Sequence, residues 1–184
     1  MGENMNFMDL ALKRFSCRKY VKGKKIERDL ILKCLESARL APSASNSQPW
    51  KYIVVDDDDL KDKVVELLSV GPVKFNQFAK DCSAIIVVVE EHKNFESSIG
   101  QIALGRSFTN FDIGCSVMQF CLQATELGLA TCIMGIFNEK KIKKLLKIPS
   151  NKRIVVLLAV GYPDENPSGK KRKKIDEISS FNIY

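Results

Sequence analysis

Histidine is nearly missing from this 184-residue chain, and the scarcity removes whole reaction classes. A Ser-His-Asp or Cys-His nucleophilic pair would depend on His92 alone. That residue stands in Glu90-Glu91-His92-Lys93-Asn94, which reads as a solvated turn after an apolar run. A zinc site would have to use cysteines or carboxylates without imidazole. The six cysteines (Cys17, Cys34, Cys82, Cys115, Cys121 and Cys132) are scattered, with no Cys-x-x-Cys spacing. Gly-x-Gly-x-x-Gly is absent as well, so a dedicated Rossmann site for a nicotinamide dinucleotide is not expected. No apolar run approaches the ~20 residues that span a bilayer, and Met1 to Asn6 lacks the apolar stretch of a secretory signal. Together these absences predict a cytoplasmic protein with free, mostly buried thiols, no metal and no membrane association.

What is present reads as one domain over residues 1–184. The chain is 45% hydrophobic and 28% charged, a globular balance. The net charge of +7 is concentrated, because Lys170 to Lys174 carries five of the seven excess positive charges. Apolar spacing predicts helices over Met5 to Phe15, Ile26 to Leu40, Leu60 to Leu68, Arg106 to Gly128 and Glu139 to Leu146. Strands are expected at Lys51 to Asp56, Ala84 to Val89, Ala130 to Phe137 and Arg153 to Tyr162. The run Ala84 to Val89 is apolar at every position and therefore reads as covered on both faces. The longest helix is apolar almost all round, which fits burial in a core or against another subunit. The acidic run Asp56 to Asp59 is read as a helix start that meets the helix dipole, not as a metal box. Helices alternating with four strands predict an α/β or α+β sheet covered by helices.

Three segments hold more positioned polar groups than a fold requires. In Arg14-Phe15-Ser16-Cys17-Arg18 an extended backbone points Arg14, Ser16 and Arg18 one way and Phe15 and Cys17 the other. A helical backbone would still place both arginines on one face, so either geometry suits a phosphate. Ala41 to Trp50 stiffens three hydroxyls and two side-chain amides between two prolines. Gly128 is placed to end the long helix, and Gly135 would allow close approach of backbone to a flat ligand.

In this order and spacing the segments resemble the nitroreductase family of flavoproteins, over nearly the whole chain. The resemblance rests on Arg14-x-Ser16-x-Arg18, Pro42-Ser43 with Asn46-Ser47-Gln48-Pro49-Trp50, and Asp112-Ile113-Gly114. It continues through Leu127 to Cys132, Leu146 to Pro149, Val160-Gly161-Tyr162-Pro163 and the basic Lys171-Arg172-Lys173. It implies a central mixed sheet of four to five strands covered by helices. It also implies a homodimer with FMN at the subunit interface and residues 164–184 extending onto the partner. Arg14 and Arg172 would meet the flavin phosphate, with Ser16 supporting, and Arg18 would sit at the pyrimidine end of the ring. Ser43, Ala44, Ser45 and Asn46 would line the flavin from the partner subunit, and the backbone at Met134 and Gly135 would face the ring edge. The stretch Lys74 to Phe78 does not match the Asn and Lys that some members use as flavin ligands, and the register within Lys170 to Lys174 stays open. The implied activity is hydride transfer from NADH or NADPH to an electron-poor acceptor such as a nitroaromatic or quinone, by a ping-pong scheme. Dehalogenation and enone reduction are variants of it. A flavin-holding storage or sensing module is the alternative reading. A nucleic-acid binder using the basic tail is a further one, although no nucleic acid is expected as a partner.

Overall fold

The computed structural model describes residues 6–70, 72–91, 107–167 and 169–184. Helix α1 (Phe7–Lys13) is followed by α2 (Arg28–Arg39), β1 (Trp50–Val55), α3 (Asp58–Glu66) and the short hairpin strands β2 (Ser69–Val70) and β3 (Val73–Lys74). Then come β4 (Ala84–Glu90), α4 (Thr109–Glu126), β5 (Ala130–Met134), α5 (Glu139–Leu145) and β6 (Arg153–Gly161). The main sheet has the order β1-β4-β6-β5, and every strand pair in it is antiparallel. The parallel component expected of a mixed sheet is, among the described residues, one bridge between Ser16 and Thr131 on the outer edge of β5. His92 lies outside the described residues.

β4 explains the layering. Its successive side chains alternate between two cores, so an apolar residue is required at every position. Ile85, Val87 and Val89 pack with Val64 and Val65 of α3 and Ile142 of α5. Ala84, Ile86 and Val88 pack on the other face with Ile31, Cys34 and Ala38 of α2 and with Ile113, Val117 and Phe120 of α4. The sheet is thus sandwiched between two helical layers, as the sequence predicts.

Local chemistry sets the boundaries. Asp57 caps α3 by accepting the Leu60 N–H at 2.8 Å, Asp56 takes a fork of bonds from Arg28 at 2.6 and 3.1 Å, and Asp58 pairs with Lys25 and Lys61. Capping and ion pairing thus account for these three members of the acidic run. At the end of α4 the N–H of Leu129 bonds to the carbonyl of Ala124 at 2.8 Å, and that of Gly128 to Thr125 at 3.1 Å. Gly128 at φ 75° supplies the left-handed residue this Schellman cap needs.

Gly161 at the end of β6 is required for a different reason. A Cβ there would lie 2.6 Å from Cδ1 and 3.2 Å from Cγ of Tyr20, the inner atoms of a ring that cannot swing aside. The ring is buried, and its hydroxyl shares its proton between the carbonyls of Cys17 and Ala159, each 3.1 Å away. Gly161→Ala is therefore expected to destabilise the protein by about 1–3 kcal/mol through overpacking. Urea unfolding checks it, and an unchanged midpoint would show that the ring has room the structure does not display.

Candidate active site

The segment after α1 becomes extended at Arg14 (φ −68°, ψ 118°). Ser16 then bridges Thr131, and the Cys17 N–H donates to the Thr131 carbonyl at 3.0 Å. The alternation expected from sequence follows: Phe15 and Cys17 join the core, while Arg14 and Ser16 are half-buried and Arg18 is exposed. The chain beyond β6 returns along the same segment. Val21 bonds to Tyr162 at 2.9 Å, Tyr20 bridges Pro163, and Asp164 bonds to Lys19 at 2.9 Å. This double pass carries the basic tail back to the end of α1.

The result is a cavity of about 280 Å³ lined chiefly by Arg14, Phe15, Ser16, Pro167, Lys170 and Arg172. Three cations and a hydroxyl converge on it from sequence positions roughly 150 apart. The salt bridges among the described residues include none to Arg14, Arg18, Lys170 or Arg172. Cations held together without carboxylates repel one another, and an anion in their midst relieves that repulsion. Within the open register of the tail, Lys170 and Arg172 face the cavity together. The family resemblance assigns Arg172 alone to this contact. The alternation along Lys170-Lys171-Arg172 is the sequence signal that adds Lys170.

The remaining sequence-selected residues lie apart from this cavity. Among the described residues the Arg18 guanidinium donates to the Ser16 carbonyl, at 3.3 Å from its Nη1. Ser43, Ala44, Ser45 and Asn46 belong to a short 3-10 turn in which Ser45 and Asn46 take left-handed φ values of 52° and 50°, and Gln48 follows at 45°. Three non-glycine residues in that region within four positions cost about 1–2 kcal/mol each, so the loop must be held. Ser43 Oγ accepts the Gln48 N–H at 3.0 Å, the Gln48 amide donates to Asn46, and buried Asp112 of α4 accepts the Ala44 N–H at 3.3 Å. The structure thus gives the Asp112-Ile113-Gly114 motif a definite duty as the anchor of this loop. No spacing argument indicated it.

Met134 closes β5 with its side chain buried in the core, leaving its backbone and exposed Gly135 at the strand end. Thr131 to Gly135 spans about 13 Å at the usual strand rise. The stretch Lys74 to Phe78, which matched no expected ligand, meets this same end: Asn76, left-handed at φ 52°, donates through Nδ2 to the Ile136 carbonyl at 3.5 Å.

The thiols beneath the site are quiet. All six cysteines are free, and only Cys115 is less than fully buried. Burial pushes Cys17 up to about 11. Burial also raises Cys132, against the lowering charges of Arg18 and Lys170, and raises Cys121, against a hydrogen bond from Thr131 and the charge of Arg14. These thiols stay protonated near neutral pH and serve as small apolar fillers. Among the described residues no helix is long and apolar enough to cross a membrane.

Comparison with known proteins agrees with this layout. The chain is 26% identical over 196 residues to a protein named iodotyrosine deiodinase from Thermotoga neapolitana, covering 96% of this chain and 97% of that one. It is 27% identical over 214 residues to the oxygen-insensitive NADPH nitroreductase of Helicobacter pylori, covering 95% and 99%. A protein from Exiguobacterium sibiricum crystallised in complex with FMN shares the fold with a TM-score of 0.82 at 24% identity, over 96% of this chain and 97% of its own. The sequence pattern of the nitroreductase family itself matches residues 11–162, and the chain belongs to that family.

Proposed function

We propose that the protein is an FMN-dependent oxidoreductase that takes electrons from NADH or NADPH and works as a homodimer. The observation that carries this reading is the convergence of Arg14, Ser16, Lys170 and Arg172 on one cavity without carboxylate partners. The donor set fits a phosphate: two guanidiniums, an ammonium and a hydroxyl, with no acidic side chain lining the space. Bound FMN would supply the redox chemistry, accepting a hydride from the nicotinamide and passing electrons to an electron-poor acceptor in a ping-pong cycle. The chain's own residues would hold, orient and polarise. Arg14, Lys170 and Arg172 anchor the phosphate. Arg18, its guanidinium engaged among the described residues by a backbone carbonyl, offers positive charge where negative charge develops at the pyrimidine end of the ring. The strand end at Met134 and Gly135, about 13 Å along β5, presents backbone to the ring.

One protomer supports only part of such a site. Small-ligand pockets ordinarily run from about 300 to 1,000 Å³, and the cavity here, about 280 Å³, suits the phosphate end. The strained loop Ser43–Asn46 is not among its lining residues and is offered to a second copy. Exposed Phe7, Met8 and Leu12 on α1, Phe111 and Met118 on α4, and Ile175, Ile178, Phe181, Ile183 and Tyr184 in the tail support the same arrangement. An apolar surface of that extent is what a partner covers, and residues 164–184 are read as the segment that reaches it.

The test is an absorption spectrum of the purified protein followed by separate anaerobic titrations with NADH and NADPH. A flavin spectrum that one nicotinamide bleaches, and that a nitroaromatic, a quinone or a halogenated phenol restores, is the expected result. A yellow protein that neither nicotinamide bleaches would make it a flavin-holding module instead.

A further inference from the structure

Between β6 and the two cations that face the cavity, the chain has little to fix its course. The ladder joining residues 162–164 to 19–21 stops at Asp164. Among the described residues, no backbone–backbone hydrogen bond then ties 166–173 to the rest of the protein. Yet Pro167, Lys170 and Arg172 line the same cavity as Arg14 and Ser16. The last tether before that gap is a side chain. One oxygen of Glu165 accepts two consecutive backbone N–H groups, from Arg18 at 2.5 Å and from Lys19 at 3.1 Å.

We infer that Glu165 is a positioning residue that clips the basic tail to the Arg14–Arg18 segment and so sets the distance between the two halves of the phosphate site. The inference rests on the reading that this cavity takes the phosphate of FMN. The same oxygen closes both bonds, so a single rotamer of Glu165 fixes where the tail leaves the ladder. Cutting the clip lets the tail swing from Asp164, six residues before Lys170, and both tail cations then share the lost alignment. A charge-assisted bond to backbone N–H is among the stronger kinds, and amide oxygen can replace carboxylate oxygen as the acceptor. The geometry, not the negative charge, is what matters here. A carboxylate beside an anion site would by charge alone weaken anion binding, so removing it for electrostatic reasons should have the opposite sign.

The experiment compares purified flavin-loaded wild type, Glu165→Ala and Glu165→Gln. FMN release after dilution is followed by flavin fluorescence, melting is measured at saturating FMN, and amide exchange is followed at Arg18 and Lys19. Glu165→Ala is expected to release FMN at least about tenfold faster and to expose both amides to exchange, as the loss of one or more charge-assisted bonds implies. Glu165→Gln is expected to stay within about threefold of wild type. An alanine variant that melts earlier but releases FMN at the wild-type rate would overturn the inference and leave Glu165 a purely structural residue. Equal rates in the two variants would overturn it: slower release than wild type in both would assign the effect to charge, and faster release in both would show that an amide acceptor does not restore the clip. A wild-type protein that holds no FMN would overturn the functional reading along with it.

Discussion

Phe111→Asp is expected to leave the protein monomeric at micromolar concentration and to strip it of flavin while the fold of each chain survives. Phe111 is 71% exposed on α4, one turn or two from Cys115 and Met118, on the side opposite the buried Ile113, Val117 and Phe120. A phenylalanine buries about 150–250 Å² when covered. At 71% exposure and about 25 cal/mol per Å², covering the remainder is worth about 3–4 kcal/mol per copy. A two-fold interface counts it twice, and a desolvated carboxylate adds a further penalty. A nanomolar dimer would thereby move to the micromolar range or beyond, at tenfold per 1.4 kcal/mol. Helix α1 supplies an independent reason to expect the covering partner. It is seven residues long, none of them buried, with Phe7 at 68% and Leu12 at 73% exposure. So short a helix does not hold in water by propensity, so its open apolar face needs something on it. Light scattering on wild type and variant decides the matter. A variant that stays dimeric, or a wild type that never dimerises, removes the interface from α4 and with it the composite site.

The parts of this molecule that were legible in the sequence are those where one local pattern has one outcome. An unbroken apolar run at 84–89, β-branched from Ile85 on, reads as a strand covered twice, and the α2 stripe of Ile31, Cys34 and Ala38 reads as a face turned to the core. Helix ends were less legible because competing tertiary bonds set them. The spacing carries α1 to Phe15, but the chain straightens at Arg14 because Ser16 and Cys17 pair with Thr131. Likewise β5 ends at Met134, not Phe137, where the backbone turns and Asn138 caps α5 and bonds to Leu67. The hairpin β2–β3 was missed although Gly71-Pro72 stood between Val70 and Val73 as a turn signal. Non-local features left no periodic trace. Nothing in the order of residues says that Glu165 accepts from Arg18 or that Asp112 anchors Ala44. The arginines themselves were legible because alternation in an extended chain fixes which side they occupy. What they converge with was not.

Arg14→Ala is expected to weaken FMN retention by about 1.5–3 kcal/mol, the worth of a hydrogen bond to a charged group, with little effect on melting. In dissociation terms that is roughly 10-fold to 150-fold. The separation of the two effects follows from where Arg14 stands. It ends α1 in extended conformation and is half-buried at the cavity, and it carries no ion pair among the described residues that its removal would orphan. Its neighbours Phe15 and Cys17 hold the segment in the core independently. Arg172→Ala should fall in the same range, because it lines the same space from the tail. The double variant should lose less than the sum, since two groups around one anion are coupled. Lys171→Ala, a neighbour of equal charge that does not line the cavity, separates contact from mere electrostatics. If Lys171→Ala weakens flavin as much as Arg172→Ala does, the tail acts as a diffuse positive field, screened out by salt within about 8 Å at physiological ionic strength. If only Arg14 and Arg172 matter, and their effect persists in high salt, the phosphate sits between them. An Arg14→Ala protein that holds FMN as tightly as wild type would place the phosphate somewhere else, and the convergence of unpaired cations on this cavity would need another anion.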